Sequence, residues 1–400
     1  MDKKPSLDIK SGKTFQMKPT LNSKEVIKSD QKADPKKSDQ VVKKPNKIIQ
    51  FFKDNRWAQI VGIIVAVLLL IGIGFGIYWL ITKDKGVTFQ EQLKMAKDQP
   101  KEMARRLDGV IVPTADANKY PVAVMIENLV DVRPQHALSQ AQVVYETVVE
   151  GNITRFMALY AGNQADEIHP VRSARPYYLQ WASEYDALYA HCGGSQEALD
   201  AILSFGIKDL DQIGAGAPYF WRGEGEAPHN LFASTKTLNL ALRDRKLDTV
   251  KPKYDSWKFK DEIRKENRPT TIQDIKINFA GDYSVEYKYD PETNTYLRFN
   301  PIGVEHKDAV NDSQIAPKNV VIQYVPKEQV MDDYGRLQLV VTGEGKVQVF
   351  RDGEMVEGAW KKNSRTDRTK FYDSTGSEIK LNRGQTWITV VPDGFSVEVL

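Results

Sequence analysis

From residue 57 to residue 82 the chain carries no charged side chain, and Ile60–Ile81 within that run is almost wholly aliphatic. At a rise of about 1.5 Å per residue a helix over Ile60–Ile81 reaches about 33 Å, enough to cross a hydrocarbon core of about 30 Å. The pattern predicts one transmembrane helix at 57–82, with Trp57, Tyr78 and Trp79 as interfacial anchors. Residues 83–104 are polar, with Phe89, Leu93 and Ala96 at helical spacing, and read as a stalk. From Pro121 the texture changes. Val122–Ile126, Val143–Val149 and Phe156–Ala161 are short apolar runs bounded by turn formers, as strands are. A helical rhythm of Tyr177, Leu179, Trp181 and Tyr185 begins at Ser173, and strand character returns at Leu188–Ala190. Ser195 caps a helix with Glu197 in its first turn, and another helix runs from Ser234 to about Lys246. Past Trp257 nearly everything is strand and turn: Val285–Tyr289, Tyr296–Phe299, Val320–Val325, Leu337–Val341, Val347–Phe350 and Thr386–Val391. The expected fold class is α+β, with a mixed α/β domain at 105–255 and a mostly antiparallel β domain at 256–400.

Charge adds an orientation. Residues 1–56 hold fifteen Lys/Arg against seven Asp/Glu and only three aromatics, the composition of a disordered basic tail. Lys43, Lys44, Lys47, Lys53 and Arg56 lie just before the apolar run, which keeps the tail cytoplasmic and sends the long C-terminal part outside: a single-pass protein of the cell membrane. A cleaved signal peptide does not fit, because the charged region before the run is too long and no small-x-small site follows it. The rest of the chain holds forty-one basic and forty-six acidic residues, and the tail's lysines lack interleaved aromatics, so no nucleic acid partner is expected. The single cysteine, Cys192, rules out an internal disulfide.

Unusual residues concentrate between Arg155 and Asn230. In Val171-Arg172-Ser173-Ala174-Arg175-Pro176, Ser173 reads as an N-cap with Pro176 in the first helical turn. Free amides and two guanidiniums there would suit a carboxylate or phosphate. The same arginines could equally pair with Glu146, Glu150 or Asp186 and only tie the helix down. His191-Cys192-Gly193-Gly194-Ser195 lies at a strand-to-helix junction whose amides could hold an oxyanion. Neighbours in a strand point to opposite faces, so His191 would not activate Cys192, which reads as a small buried side chain. His136, His169, His191 and His229 show no metal-ligand spacing and no nucleotide motif is present, so neither metal nor cofactor is expected. Glu146 or Glu150 with His191 or His229 are the candidates for acid–base chemistry, should the chain be an enzyme.

At these residues the chain resembles the YerB-like lipoprotein family. Matching text includes Pro121-Val122-Ala123-Val124-Met125-Ile126-Glu127-Asn128, Arg133-Pro134-Gln135, Ile153-Thr154-Arg155-Phe156-Met157, Pro170 to Pro176, Gly193-Gly194-Ser195 and Ala227-Pro228-His229-Asn230. In the second half it includes Phe350-Arg351-Asp352-Gly353, Trp360-Lys361 and Gln385-Thr386-Trp387-Ile388. The resemblance covers about residues 105–395. It implies an envelope location and a two-domain division, but no established activity. Its motif positions map to Glu127, Arg133, Glu146, Glu150, Arg155, Arg172, Ser173, Arg175, His191, His229 and Asn230 as an expected cleft. Members are commonly lipid-anchored through an N-terminal cysteine, whereas this chain has none near its start. The expectation is a membrane-anchored outer module that binds an anionic envelope component, peptidoglycan or a phosphate-bearing polymer, through Arg155, Arg172, Ser173, Arg175, Gly193, Gly194, Ser195 and Asn230. A hydrolase or transferase of envelope glycan, and a scaffold using the tail or the β domain to hold a protein partner, are the alternatives.

Overall fold

The computed structural model describes residues 55–83, 100–269, 273–329 and 335–400, so the expected tail and most of the stalk lie outside the described residues. The chain divides into two compact units, Met1–Lys94 and Met95–Leu400. In the first unit, α1 (Arg56–Lys83) is one helix of 28 residues. Its described side chains run unbroken only from Ile60 to Phe75, and among the described residues no helix is long and apolar enough to cross a membrane.

The second unit is built on one sheet of ten strands. Its strands are β1 (Val122–Glu127), β2 (Val143–Val148), β3 (Thr154–Tyr160), β4 (Leu188–His191) and β5 (Lys208–Asp211) from the first half. From the second half come β10 (Asn319–Val325), β11 (Gly343–Arg351), β12 (Glu354–Lys362), β13 (Lys370–Asp373) and β14 (Thr386–Pro392). The order across the sheet is β13-β12-β11-β10-β14-β2-β3-β1-β4-β5. Four further strands, β6 (Ile275–Asn278), β7 (Val285–Asp290), β8 (Thr295–Asn300) and β9 (Val304–Glu305), join the C-terminal β15 (Ser396–Val399) in a smaller sheet ordered β9-β8-β7-β6-β15.

The strand patterns explain this layering. Every residue of β1, β2, β3 and β14 is buried, as befits apolar runs covered on both faces. Alternate residues serve two cores. Val124, Val144, Phe156 and Trp387 face the smaller sheet and α4 (Thr235–Asp244), whereas Met125, Tyr145, Met157 and Ile388 face α2 (Pro176–Glu184) and α3 (Gln196–Phe205). Strand β7 is half-covered and alternates accordingly. Trp181, Trp360 and Trp387 are sealed from water. Burial of a side chain of this size contributes about 1.5–3 kcal/mol each.

The boundary expected near residue 255 is therefore no gap between cores. Strand β14 runs parallel to β10 on one side and parallel to β2 on the other, joining the halves at Thr386↔Val143 through Thr389↔Glu146. The second half is mostly antiparallel, as expected, with β10 and β14 as parallel neighbours. Parallel pairs of this kind are set by crossovers between distant segments, which a local pattern of hairpin signals cannot show. Residues Leu337–Leu339 form a two-stranded ribbon with Lys327–Gln329, outside the large sheet.

Candidate functional site

Strands β1 and β4 run parallel and end side by side, and residues 170–175 cross their ends as an extended strap. The strap is pinned by backbone bonds: Glu127 N to Pro170 O (3.0 Å), Arg172 N to Met125 O (2.9 Å), Cys192 N to Arg172 O (3.1 Å) and Ala174 N to Gly193 O (2.9 Å). Helix α2 starts only at Pro176, and its N-cap is Arg175. Ser173 is thus not a cap. Its carbonyl accepts from Arg155 Nη1 at 3.0 Å, and its hydroxyl lies 3.4 Å from the same atom and 3.3 Å from Arg175 Nη1.

The strap's two arginines find carboxylates. Arg172 Nε donates to Glu127 Oε1 at 2.8 Å, while Glu127 Oε2 takes His229 Nδ1 at 2.8 Å. Arg175 grips Glu150 with two bonds, of 2.6 and 2.8 Å. Burial opposes ionisation of Glu150, but the bonds and charge of Arg175 outweigh it and hold its carboxyl below the usual range. Among the described residues Arg155 has no carboxylate bond of its own. It is 6% exposed, and its Nε donates to none of them. Burial first, then the Arg175 charge beside it, brings its pKa down to about 10. Two guanidiniums therefore share the single carboxylate of Glu150, leaving an excess positive charge at Ser173. Arg175 also reaches a cavity of about 240 Å³ between the first turns of α2 and α3, lined as well by Ser195, Glu197 and Arg336.

Other expected site residues are occupied within the fold. His191 is fully buried, with Nε2 on Asp209 Oδ1 at 2.6 Å and Nδ1 on the Gly193 carbonyl at 2.8 Å. The Gly193 amide donates to Asp211 at 2.7 Å, Gly194 pairs with Ala174, and the Ser195 hydroxyl caps Ala198 at 3.2 Å. The Cys192, Gly193 and Ser195 amides are thus spent within the fold, on the Arg172 carbonyl, Asp211 and the Ala174 carbonyl. Asn230 holds the carbonyls of Gly223 and Gly225 at 3.1 and 2.9 Å and accepts from Arg222 at 2.9 Å, so it staples the glycine-rich loop. Cys192 donates to Gln212 at 3.3 Å, and burial raises its pKa, the opposite of an activated thiol.

Glu146 is the clearest departure from the expected cleft. It is sealed on the inner face of β2, where both its oxygens accept from Arg298 Nη2 at 2.8 Å. Thr154 Oγ1 and Trp387 Nε1 donate to it at 3.1 Å. Sealed from solvent and bonded on both oxygens, it ties β8 to the central sheet. Arg298 was not among the expected residues. Its signal was the inward register of Tyr296-x-Arg298 on an alternating strand, which places a charge where only a partnered one is tolerated. Glu127, Arg172 and His229 come together, as do Glu150, Arg155, Ser173 and Arg175, while Glu146 and His191 lie inside the fold. Among the described residues no group of His, Cys, Asp or Glu is placed to hold a metal.

An α+β body whose halves share one sheet, with an arginine-bearing strap over parallel strand ends, defines a class without an assigned reaction. Residues 107–248 match the family described as "Protein of unknown function (DUF3048) N-terminal domain", and 275–388 match its C-terminal domain. The chain belongs to this YerB-like family. It is 28% identical over 319 residues to "Putative lipoprotein YerB" of Bacillus subtilis (strain 168), spanning 76% of this chain and 90% of that protein. The crystal structure of YerB from Bacillus subtilis matches with a TM-score of 0.65 at 26% identity, covering 74% of this chain and 99% of that one.

Proposed function

We propose that this is a single-pass membrane protein whose folded body lies outside the cytoplasm and binds an anionic envelope component at the strap. The anchor reading rests on the charge-free 57–82 run, its continuous helix α1 and the basic residues before it. A relative named as a lipoprotein supports a membrane-tethered body. The observation that carries the binding reading is Arg155, a buried guanidinium without a carboxylate bond, beside Arg175 and the Ser173 hydroxyl. A phosphate or carboxylate arriving there gains charge-assisted bonds and relieves the crowding of like charge. Arg172 is engaged by Glu127 and contributes less.

Two experiments test this. Protease added to intact protoplasts digests the body and leaves the tail if the orientation is right; protection of the body contradicts it. Co-sedimentation of the full-length chain with purified wall material should fall about tenfold in Ser173→Ala/Arg175→Gln, the cost of one or two charged hydrogen bonds. Unchanged binding by a variant that unfolds at the wild-type temperature would overturn the site.

A further inference from the structure

A separate cavity of about 660 Å³ opens where the β12–β13 hairpin meets residues 253–255. None of the strap residues lines it. Its wall carries Arg106, Lys253, Lys361, Arg368 and Lys370 against only Asp255 and Asp367, an excess of three positive charges. Such volume lies within the range of about 300–1,000 Å³ usual for small-molecule sites.

We propose that this cavity is a second binding site, taking a ligand with two or more phosphate groups. Three observations converge. Lys361 and Lys370 stand directly opposite each other on β12 and β13, and like charges in that position destabilise a sheet. Their acidic partners are exposed, Glu344 at 3.0 Å from Lys361 and Asp255 at 3.3 Å from Lys370, and pairs of that kind are worth about 0–1 kcal/mol. Second, the exposed Lys253 ammonium makes no ion pair among the described residues. Third, Arg368 is buried between Tyr185 and Trp257, 3.8 and 3.6 Å from their ring centres, and among the described residues its Nε and Nη1 donate no hydrogen bond. The nearest carboxylate, Glu184, is 3.8 Å from Nη1 and already serves Lys362 at 3.2 Å. A buried positive charge thus lines the same cavity as three ammonium groups.

The donor chemistry selects phosphate over carboxylate. Planar guanidinium forks match carboxylates, but Arg106 is committed to the carbonyls of Pro252 and Tyr254 and Arg368 to its aromatic sandwich. What remains is a set of rotatable ammonium point charges, Lys253 with no ion pair among the described residues and Lys361 and Lys370 held only by exposed carboxylates, suited to phosphoryl oxygens spread over several positions.

The same phosphate chemistry is offered by a free oligophosphate and by a phosphate-bearing polymer, so the test uses both. Calorimetric titration of the full-length chain in detergent with inorganic tripolyphosphate and with a glycerol phosphate oligomer should give saturable binding of at least one, and the tighter titrant identifies the source. Citrate, with comparable charge, should bind about tenfold more weakly, and Lys253→Ala/Lys370→Ala should weaken the phosphate titrants about tenfold. Lys253→Glu alone, at an exposed position outside the sheet, should do the same without any effect on folding. Arg175→Gln should leave these titrations unchanged, which separates this cavity from the strap. No saturable binding of either phosphate titrant, equal affinity for citrate, or wild-type affinity in the folded lysine variants would overturn the proposal.

Discussion

Glu146 and Arg298 face each other across 152 residues of sequence, each with a fully buried side chain. Spacing could nominate Glu146 as a motif acid, but a partner so remote in sequence leaves no local trace, and only the structure shows it buried against Arg298. Removing one member strands the other charge, so Glu146→Gln should lower the unfolding free energy by about 3–5 kcal/mol in urea titrations. Glu146→Leu/Arg298→Met should recover much of that loss. The same network holds His306, whose Nδ1 faces Arg298 and whose Nε2 meets Gln135 at 2.8 Å. Burial, reinforced by Arg298 and Arg133, pushes its pKa well below the usual value. Burial, then His136, takes His169 down to about 4. Both histidines bind protons better unfolded than folded. Their contribution is complete above about pH 6.5 and is lost as pH falls below it, for His169 down to its folded value. Unfolding free energy should therefore decline from about pH 7 to about pH 4, and His169→Asn should flatten part of that slope.

Among the elements, the apolar runs were legible as strands because burial on both faces leaves uninterrupted hydrophobic text, and Ser195 was legible as a cap. Removal of its hydroxyl should cost about 1 kcal/mol of stability, readable by chemical denaturation. The strap was not legible. Ser173-x-x-Pro176 looks like a capped helix start, but the Ser173 carbonyl and hydroxyl are taken by Arg155, and backbone bonds to Met125 and Gly193 hold 170–175 extended until Pro176. These competing partners lie on β3, β1 and the turn after β4, beyond the reach of any local rule. Gly358 offers a sharper test of the β12–β13 hairpin. A Cβ built there would sit 1.9 Å from the Tyr372 carbonyl oxygen, so Gly358→Ala should part these edge strands and cost more than about 2 kcal/mol. Because Lys361 and Lys370 ride on that hairpin, phosphate binding should weaken with it.

For the whole molecule, the sequence showed an α+β body and two sequence segments, while their interweaving came from the parallel insertion of β14 between β10 and β2. Residues 95–255 expressed alone would leave β2 without its neighbour and Glu146 without Arg298. They should show no cooperative melting transition, and a sharp one would contradict the shared-sheet architecture. The functional reading stands on anion capture by Arg155 and Arg175 at the strap. Its most direct test is to follow the arginine side-chain NMR signals of the full-length chain in micelles while purified wall fragments are titrated in. The Arg155 and Arg175 resonances should shift together and saturate, with Arg298 unmoved; saturating fragments that leave Arg155 and Arg175 unchanged would contradict it.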